Sequence, residues 1–395
     1  MRRALPREAR VAAMQVCKFT VPEIIFGLGA IEQVGQAARR LGATRALVVS
    51  DPGIIAAGWL EQMLPFVEQE NLQYAIWTGV TPNPKDHEVE AGTAFYHTQR
   101  CDSLIALGGG SCIDAAKGIA VLSTNGGHIR DYEGIDKIIR PLPPMVAVPT
   151  TGGTGADVSQ FAVITDTARR IKMTLISKSL IPDISITDPL LLTTKDAWLT
   201  ASTGMDALTH GIESYVSLAA TFLTEVHSLR AIELACAGLR PSVASRDDLA
   251  AKDTMARSSL HAGMAFSNAV LGATHAMAHQ VGGMLDQPHG ELNAILLPYV
   301  MEYNLAVCPE RYAAIAGAMG IDIRGLTQIE AGTAAIAAVR SLTKEVGLSR
   351  RLSDLGVNET MIPTLSENAM RDACMATNPR SATVEEVVRL FYTAM

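Results

Sequence analysis

The sequence predicts an α/β fold in which a mostly parallel sheet fills the N-terminal half and an all-helical region fills the C-terminal half. Three observations carry this expectation. From about Lys18 to Pro189, short β-branched runs alternate with helical stretches, the pattern of β-α-β units. Beyond about Thr193 those runs thin out, and Ala, Leu and Met recur at helical spacing as far as Met395. Each candidate strand also ends in a turn rich in Gly, Thr or Asp, where open sheets place their ligands.

Length and composition bound the rest. A chain of 395 residues suits two to three domains and a sizeable core. Two are expected, residues 1–194 and 195–395, with the boundary near Thr193 to Asp196. With 48% hydrophobic and 18% charged residues the chain should be globular. No apolar run approaches the roughly eighteen residues that a membrane span needs. A net charge of −7, with no basic cluster beyond the N-terminus, argues against nucleic acid as a partner. Met1 to Arg10 is basic but lacks an apolar continuation and a cleavage site, so it reads as an N-terminal extension. The six cysteines are scattered, with no C-x-x-C, which suits a reducing cytoplasm. The Met and Ala stripes of the second half read as helix-bundle core.

Taken in order, Arg45 to Ser50 is the first clear strand, and it ends in Asp51-Pro52-Gly53. A carboxylate at such a strand end can accept hydrogen bonds from a ribose diol and would repel a 2′-phosphate, which favours NAD over NADP. Its plainer role is that of an ordinary turn former. Ser103 to Leu107 is a second strand and runs into Gly108-Gly109-Gly110-Ser111, then through Asp114 to Lys117. Backbone amides without Cβ atoms at a helix start suit a pyrophosphate, and Ser111 is placed to cap that helix. The stretch does not match G-x-G-x-x-G, so the domain is Rossmann-like without the usual fingerprint. Pro144 to Pro149 is the third strand, followed by hydroxyls at Thr150, Thr151 and Thr154 in a glycine-rich turn whose plainer reading is a surface loop.

In the second half, Asp206 and His210 stand four residues apart, as do His275 and His279, and Pro288-His289-Gly290 follows after a turn. On a helix each pair shares one face, so two helices can aim a carboxylate and several imidazoles at one point. One such pair is commonly structural; two pairs and a further histidine favour a divalent metal, Fe(II) or Zn(II). Spacing alone does not exclude His279 from the ligand set.

These stretches together resemble the iron-containing (group III) alcohol dehydrogenases, whose fold is shared with glycerol dehydrogenase and dehydroquinate synthase. The resemblance runs from Ile25-Phe26-Gly27-Leu28-Gly29 through Asn83-Pro84, the GGGS-x-x-D-x-x-K stretch, Pro149-Thr150-Thr151, Ile181-Pro182-Asp183 and Asp188-Pro189. It continues through Gly204 to His210 and Pro288-His289-Gly290 to Asn378-Pro379-Arg380, and so covers nearly the whole chain. It implies that Asp206, His210, His275 and His289 bind the metal, with iron as its identity, while His279 serves proton transfer or orientation. It implies that Asp51 and Asn83 meet the adenosine side and nearby parts of NAD, and that Gly109, Gly110 and Ser111 hold the pyrophosphate. Asp114, in the same motif, belongs to the cofactor set, and Thr150, Thr151 and Lys172 would contact its phosphates, ribose or nicotinamide end. Phe161, Phe266 and Leu271 match positions lining the alcohol pocket. Two departures bear on the substrate: the N-terminal extension, and Gly152-Gly153-Thr154-Gly155-Ala156-Asp157 where many members read Ala-Gly-Thr-Gly-Ser-Glu.

The expected reaction is reversible hydride transfer between a small neutral primary alcohol, or its aldehyde, and NAD(H). No Lys or Arg lies between Lys195 and Arg230 or between Arg257 and Arg311, the two stretches that carry the metal set, so an anionic substrate finds no cation there. Lys172 reaching across the cleft would change that. Other readings are a hydroxy-acid or polyol dehydrogenase or transhydrogenase of the same family, a non-redox metal lyase like dehydroquinate synthase, and a binding protein that turns over little. A homodimer or higher homo-oligomer is expected.

Overall fold

The computed structural model describes residues 17–395, so the extension expected at Met1 to Arg10 lies outside the described residues. The described residues form nine strands: β1 (Glu23–Phe26), β2 (Arg45–Val49), β3 (Gln73–Trp77), β4 (Ser103–Gly108), β5 (Gly134–Ile135), β6 (Met145–Pro149), β7 (Phe161–Asp166), β8 (Ile171–Ile176) and β9 (Ile184–Thr187). Six form a parallel sheet in the order β1-β9-β6-β4-β2-β3. The chain steps outward from β2 to β3, then returns to lay β4 on the other side of β2. A crevice opens where the order reverses, at the carboxyl ends of β2 and β4.

The strands are nearly unbroken apolar runs because both faces of the sheet are covered. Leu47, Val49, Leu104 and Ala106 join one buried cluster, while Ala46, Val48, Ile105 and Leu107 join another on the opposite face. The covering helices are α1 (Val34–Arg40), α2 (Pro52–Ala56), α3 (Trp59–Gln69), α4 (Asp86–Thr98) and α5 (Gly110–Asn125). Sequence patterning did not anticipate the second sheet, β5-β8-β7, in which β7 and β8 form an antiparallel hairpin. Its turn is set locally: Asp166 accepts from the Arg169 amide (2.8 Å) and side chain (2.6 Å), and Arg170 takes a left-handed φ of 56°.

From Ala197 onward the described chain is helical: α6 (Ala197–Val216), α7 (Phe222–Ala244), α8 (Leu249–Ala269), α9 (Ala273–Leu285), α10 (His289–Leu305), α11 (Pro309–Ala318), α12 (Gln328–Glu345), α13 (Ile362–Ala369) and α14 (Val384–Ala394). Asp196, at the expected boundary, caps α6 by accepting from the Leu199 amide (2.7 Å). Nearly every residue of α6 from Thr200 on is buried, so this helix is the axis of the second half. Small residues let its neighbours approach; a Cβ on Gly204 would stand 2.2 Å from Leu239 Cδ1. Among the described residues no helix is long and apolar enough to cross a membrane.

Candidate active site

A cleft of about 770 Å³ lies between the glycine-rich turn after β4 and helices α6, α9 and α10. Asp206 and His210 face it from α6, His275 and His279 from α9, and His289 from the first residue of α10. Asp206, His210 and His275 each offer one ligating atom, all within 4.8 Å of one another. Asp206 Oδ1 lies 3.9 Å from His210 Nε2 and 3.7 Å from His275 Nε2, and His289 Nε2 joins at 3.7 Å from the same oxygen. These gaps are too long for hydrogen bonds and close to the roughly 3.4 Å that separates donors bound about 2.1 Å from a shared ion.

The neighbours of the imidazoles decide which nitrogen faces that centre. His210 Nδ1 donates to Gly153 O (3.2 Å) and His275 Nδ1 to Glu213 Oε2 (2.6 Å); carbonyl and carboxylate oxygens only accept, so both Nε2 lone pairs turn inward. A carboxylate and inward lone pairs form an acceptor set whose natural occupant is a cation. The one side-chain donor among them is Asn293 Nδ2, at 2.7 Å from Asp206 Oδ1, 3.0 Å from His275 Nε2 and 3.2 Å from His289 Nε2. The residues therefore fit a divalent metal. Burial drives His210 down to about 4 and keeps it neutral. Burial also works against a charge on His275, but the nearby Asp206 carboxylate and the Glu213 hydrogen bond prevail and lift it to about 9, so a bound metal would displace a proton from Nε2. Asp206 is held far below the usual carboxylate range: burial opposes this, and the imidazoles, His210 foremost, outweigh it.

Several residues of this site escaped the sequence reading. Glu213 is buried, accepts from the Thr274 amide (2.7 Å) as well as from His275, and stays ionised despite burial because of those bonds. Its signal was present, since positions 206, 210 and 213 share one helix face. Asn293, four residues after His289, had the same kind of signal. Asp372, whose carboxylate meets His279 Nδ1 at 2.9 Å, had none.

On the cofactor side, Asp51 caps α2 by accepting from the Ile54 amide (3.0 Å), so the plainer turn-forming role is real. Its other oxygen accepts from Cys112 Sγ (3.1 Å), which places it beside the Gly108 turn at the crevice. Ser111 does not cap the following helix. Gly109 is the N-cap, no side chain caps the first turn of α5, and Ser111 lies within that turn. A loop this tight begins the helix before the serine can reach back, and its amides are left for a ligand. The glycines also serve packing, since a Cβ on Gly110 would stand 2.9 Å from Thr154 Cγ2. The Thr150 turn is no surface loop: Thr150 is fully buried, and the hydroxyls of Thr150 and Thr151 have no partner among the described residues. Orphaned hydroxyls and uncapped amides beside one crevice suit a phosphate-bearing cofactor.

Asp114 lines the same cleft, accepts from the Val163 amide (3.1 Å) through one oxygen and leaves the other without a partner. Burial raises it to about 6, against the pull of Lys117 and Lys172. Lys172, on β8, does reach into the cleft. Burial lowers it to about 8 against Asp206, Asp114 and Asp286, and its ammonium donates to Asn83 Oδ1 (2.8 Å). Asn83 in turn donates to Asp286 (2.8 Å) at the end of α9, tying the two walls together. Phe161, Phe266 and Leu271, with Val163 and Cys374, form an apolar wall, and Thr154, Ser159 and Thr174 add hydroxyls to the lining. Phe266 also stacks on the His210 ring at 4.4 Å, so it buttresses that imidazole as well as lining the pocket.

Comparison with known proteins places this geometry. Residues 22–189 match the iron-containing alcohol dehydrogenase model, and residues 200–395 match the C-terminal model of the Fe-containing alcohol dehydrogenase family. The chain is 43% identical over 379 residues to the 1,3-propanediol dehydrogenase of Klebsiella pneumoniae, covering 95% of this chain and 98% of that one. It is 38% identical over 377 residues to the NAD-dependent methanol dehydrogenase of Bacillus methanolicus, covering 95% and 99%. The solved structure of a 1,3-propanediol oxidoreductase superimposes with a TM-score of 0.94 at 43% identity, covering 96% of this chain and all of that one. With both halves matched and relatives aligned along almost their full length, the chain belongs to the iron-containing alcohol dehydrogenase family.

Proposed function

We propose that this enzyme interconverts short neutral primary alcohols and their aldehydes, using NAD(H) and a divalent metal, natively Fe(II), held by Asp206, His210, His275 and His289. The carrying observation is the acceptor set around Asp206, set at the base of an apolar pocket and beside a turn suited to a dinucleotide. When bound, the metal supplies a Lewis acid for the substrate oxygen, and the nicotinamide supplies the hydride acceptor or donor.

The chain's own residues do the rest. Gly109, Gly110 and Ser111 offer amides to the pyrophosphate, and Thr150, Thr151, Asp114, Asn83 and Lys172 meet its phosphate, ribose and nicotinamide parts. Asp51 at the end of β2 accepts from the ribose diol and repels a 2′-phosphate, which selects NAD. Phe161, Phe266 and Leu271 exclude water and seat a short aliphatic chain. His279 takes the hydroxyl proton on alcohol oxidation and returns it on aldehyde reduction. Two domains meeting at 194/195 would place the cleft at their junction. A cytoplasmic homodimer or higher homo-oligomer completes the reading: Leu218, Phe222 and Val226 are exposed together near the start of α7, an apolar face for a second copy, and six unpaired cysteines suit a reducing compartment.

Substrate charge separates this reading from the hydroxy-acid branch. Lys172 is the cation that reaches the pocket, and it already faces three carboxylates and Asn83. Purified, iron-loaded protein is therefore expected to show kcat/KM for butanal at least about tenfold above that for a four-carbon aldehyde acid, roughly 1.4 kcal/mol of discrimination. A preference for the acid would assign Lys172 to the substrate carboxylate instead.

A further inference from the structure

We propose that Asp372 is a positioning residue that acts through His279, and so rests on the proton-relay role given to that histidine above. His279 lines the cleft, and its ring lies against that of His289, with centroids 5.3 Å apart. Its Nδ1 meets Asp372 Oδ2 at 2.9 Å, and both side chains are 4% exposed. Two further contacts hold the carboxylate in place. Gln280 Nε2 donates to Oδ2 (3.2 Å) while also donating to Ala276 O (3.0 Å), and the Cys374 amide donates to Oδ1 (2.9 Å), so Asp372 caps the short helical turn Ala373–Thr377.

An ionised carboxylate only accepts, so the ring proton sits on Nδ1 and the lone pair on Nε2, the nitrogen left for the cleft. Burial works against the charge on Asp372, and the neighbouring His279 together with hydrogen bonds from Cys374 keeps it below the usual carboxylate range. In alcohol oxidation the substrate O–H bond breaks as the Nε2–H bond forms, while the carbon-bound hydrogen leaves with its electron pair for NAD⁺. The positive charge that appears on the ring then lies beside the Asp372 carboxylate until the proton passes to solvent. In aldehyde reduction the same proton returns from Nε2 to the substrate oxygen.

Asp372→Asn tests this, because the donors around the carboxylate dictate how an amide must sit. At the Oδ1 position an NH₂ would face the Cys374 N–H, which the backbone fixes. The Gln280 donor at the Oδ2 position is carried on a flexible side chain that can turn away, so the NH₂ is driven there, where it donates to His279 Nδ1 and forces the proton onto Nε2, the wrong tautomer for accepting. The expected result is a kcat lower by on the order of 100-fold or more. KM for butan-1-ol, bound iron and the NADH fluorescence titration should stay close to the parent's. On the His279→Ala background, Asp372→Asn should cost nothing further, since residues acting as a unit are not additive.

A parent-like kcat in Asp372→Asn, iron lost in step with rate, or a further tenfold loss in the double variant would each overturn the proposal. Should Asp372→Asn not fold, Asp372→Ser keeps a hydroxyl to cap Cys374 N–H without reaching His279. It is expected to fold and to be slow, and full activity in it would overturn the proposal as well. The two readings fail separately: a parent-like rate in His279→Ala removes the relay itself, whereas a slow His279→Ala beside a fast Asp372→Asn removes only the role of Asp372.

Discussion

His275→Ala is expected to purify with little or no iron and with turnover reduced on the order of 1000-fold, equivalent to about 4 kcal/mol of lost transition-state stabilisation. The imidazole joins two buried carboxylates, bonding Glu213 at 2.6 Å through Nδ1 and facing Asp206 at 3.7 Å through Nε2. Its removal takes one donor from the acceptor set and leaves Glu213 buried with only backbone partners, so the site loses both a ligand and its alignment. Metal analysis of the purified variant reads the first effect and steady-state kinetics the second. His279→Ala is the matched control, expected to keep its iron and lose rate. Stoichiometric iron in His275→Ala would move the metal elsewhere in the cleft.

The second large effect concerns stability. Lys117→Met should destabilise the protein by about 3–5 kcal/mol, read from the denaturant midpoint of the loss of ellipticity. Lys117 is completely buried, and its ammonium donates to the carbonyls of Ala156 (2.6 Å), Ser159 (2.8 Å) and Phe161 (2.7 Å). It thereby ties α5 to the loop that leads into β7. Burial lowers it to about 8, but Asp114, half-buried at the cleft, and the buried Asp157 favour its charged form. Methionine fills the volume and leaves three carbonyls and two carboxylates without their cation. Because Phe161 opens the strand that this loop leads into and accepts from the ammonium itself, KM for butanal should rise in any folded fraction. A midpoint within about 1 kcal/mol of the parent would mean that water replaces the ammonium without loss.

How much of this was legible in the sequence follows from which forces are local. The strands Arg45–Val49, Ser103–Gly108 and Met145–Pro149 could be read because burial on both faces demands unbroken apolar runs. The grouping of Asp206 with His210 and of His275 with His279 could be read because helical spacing turns sequence distance into a shared face, while the choice among these histidines rested on the resemblance. The hairpin β7–β8 was hidden, since a polar turn between two strands resembles any loop until a partner sheet is known. Lys117 was quoted as one position of a glycine-rich cofactor motif, yet its ammonium serves protein carbonyls; nothing local reveals where a buried cation finds its acceptors. Asp372 lies 93 residues from His279, and only tertiary packing brings the two together. Ser111 failed as a cap for a local reason: the helix starts one residue before it.

On the proposed function, one metal ion seated at Asp206, His210, His275 and His289 supports hydride transfer from a small alcohol to NAD. Anaerobic, stepwise addition of iron(II) to chelator-stripped protein, with NADH formation from butan-1-ol followed at each step, tests it most directly. The rate should start near zero, rise linearly and break at one equivalent of iron per chain. Full activity in the stripped protein, or a rate indifferent to added iron, would contradict it.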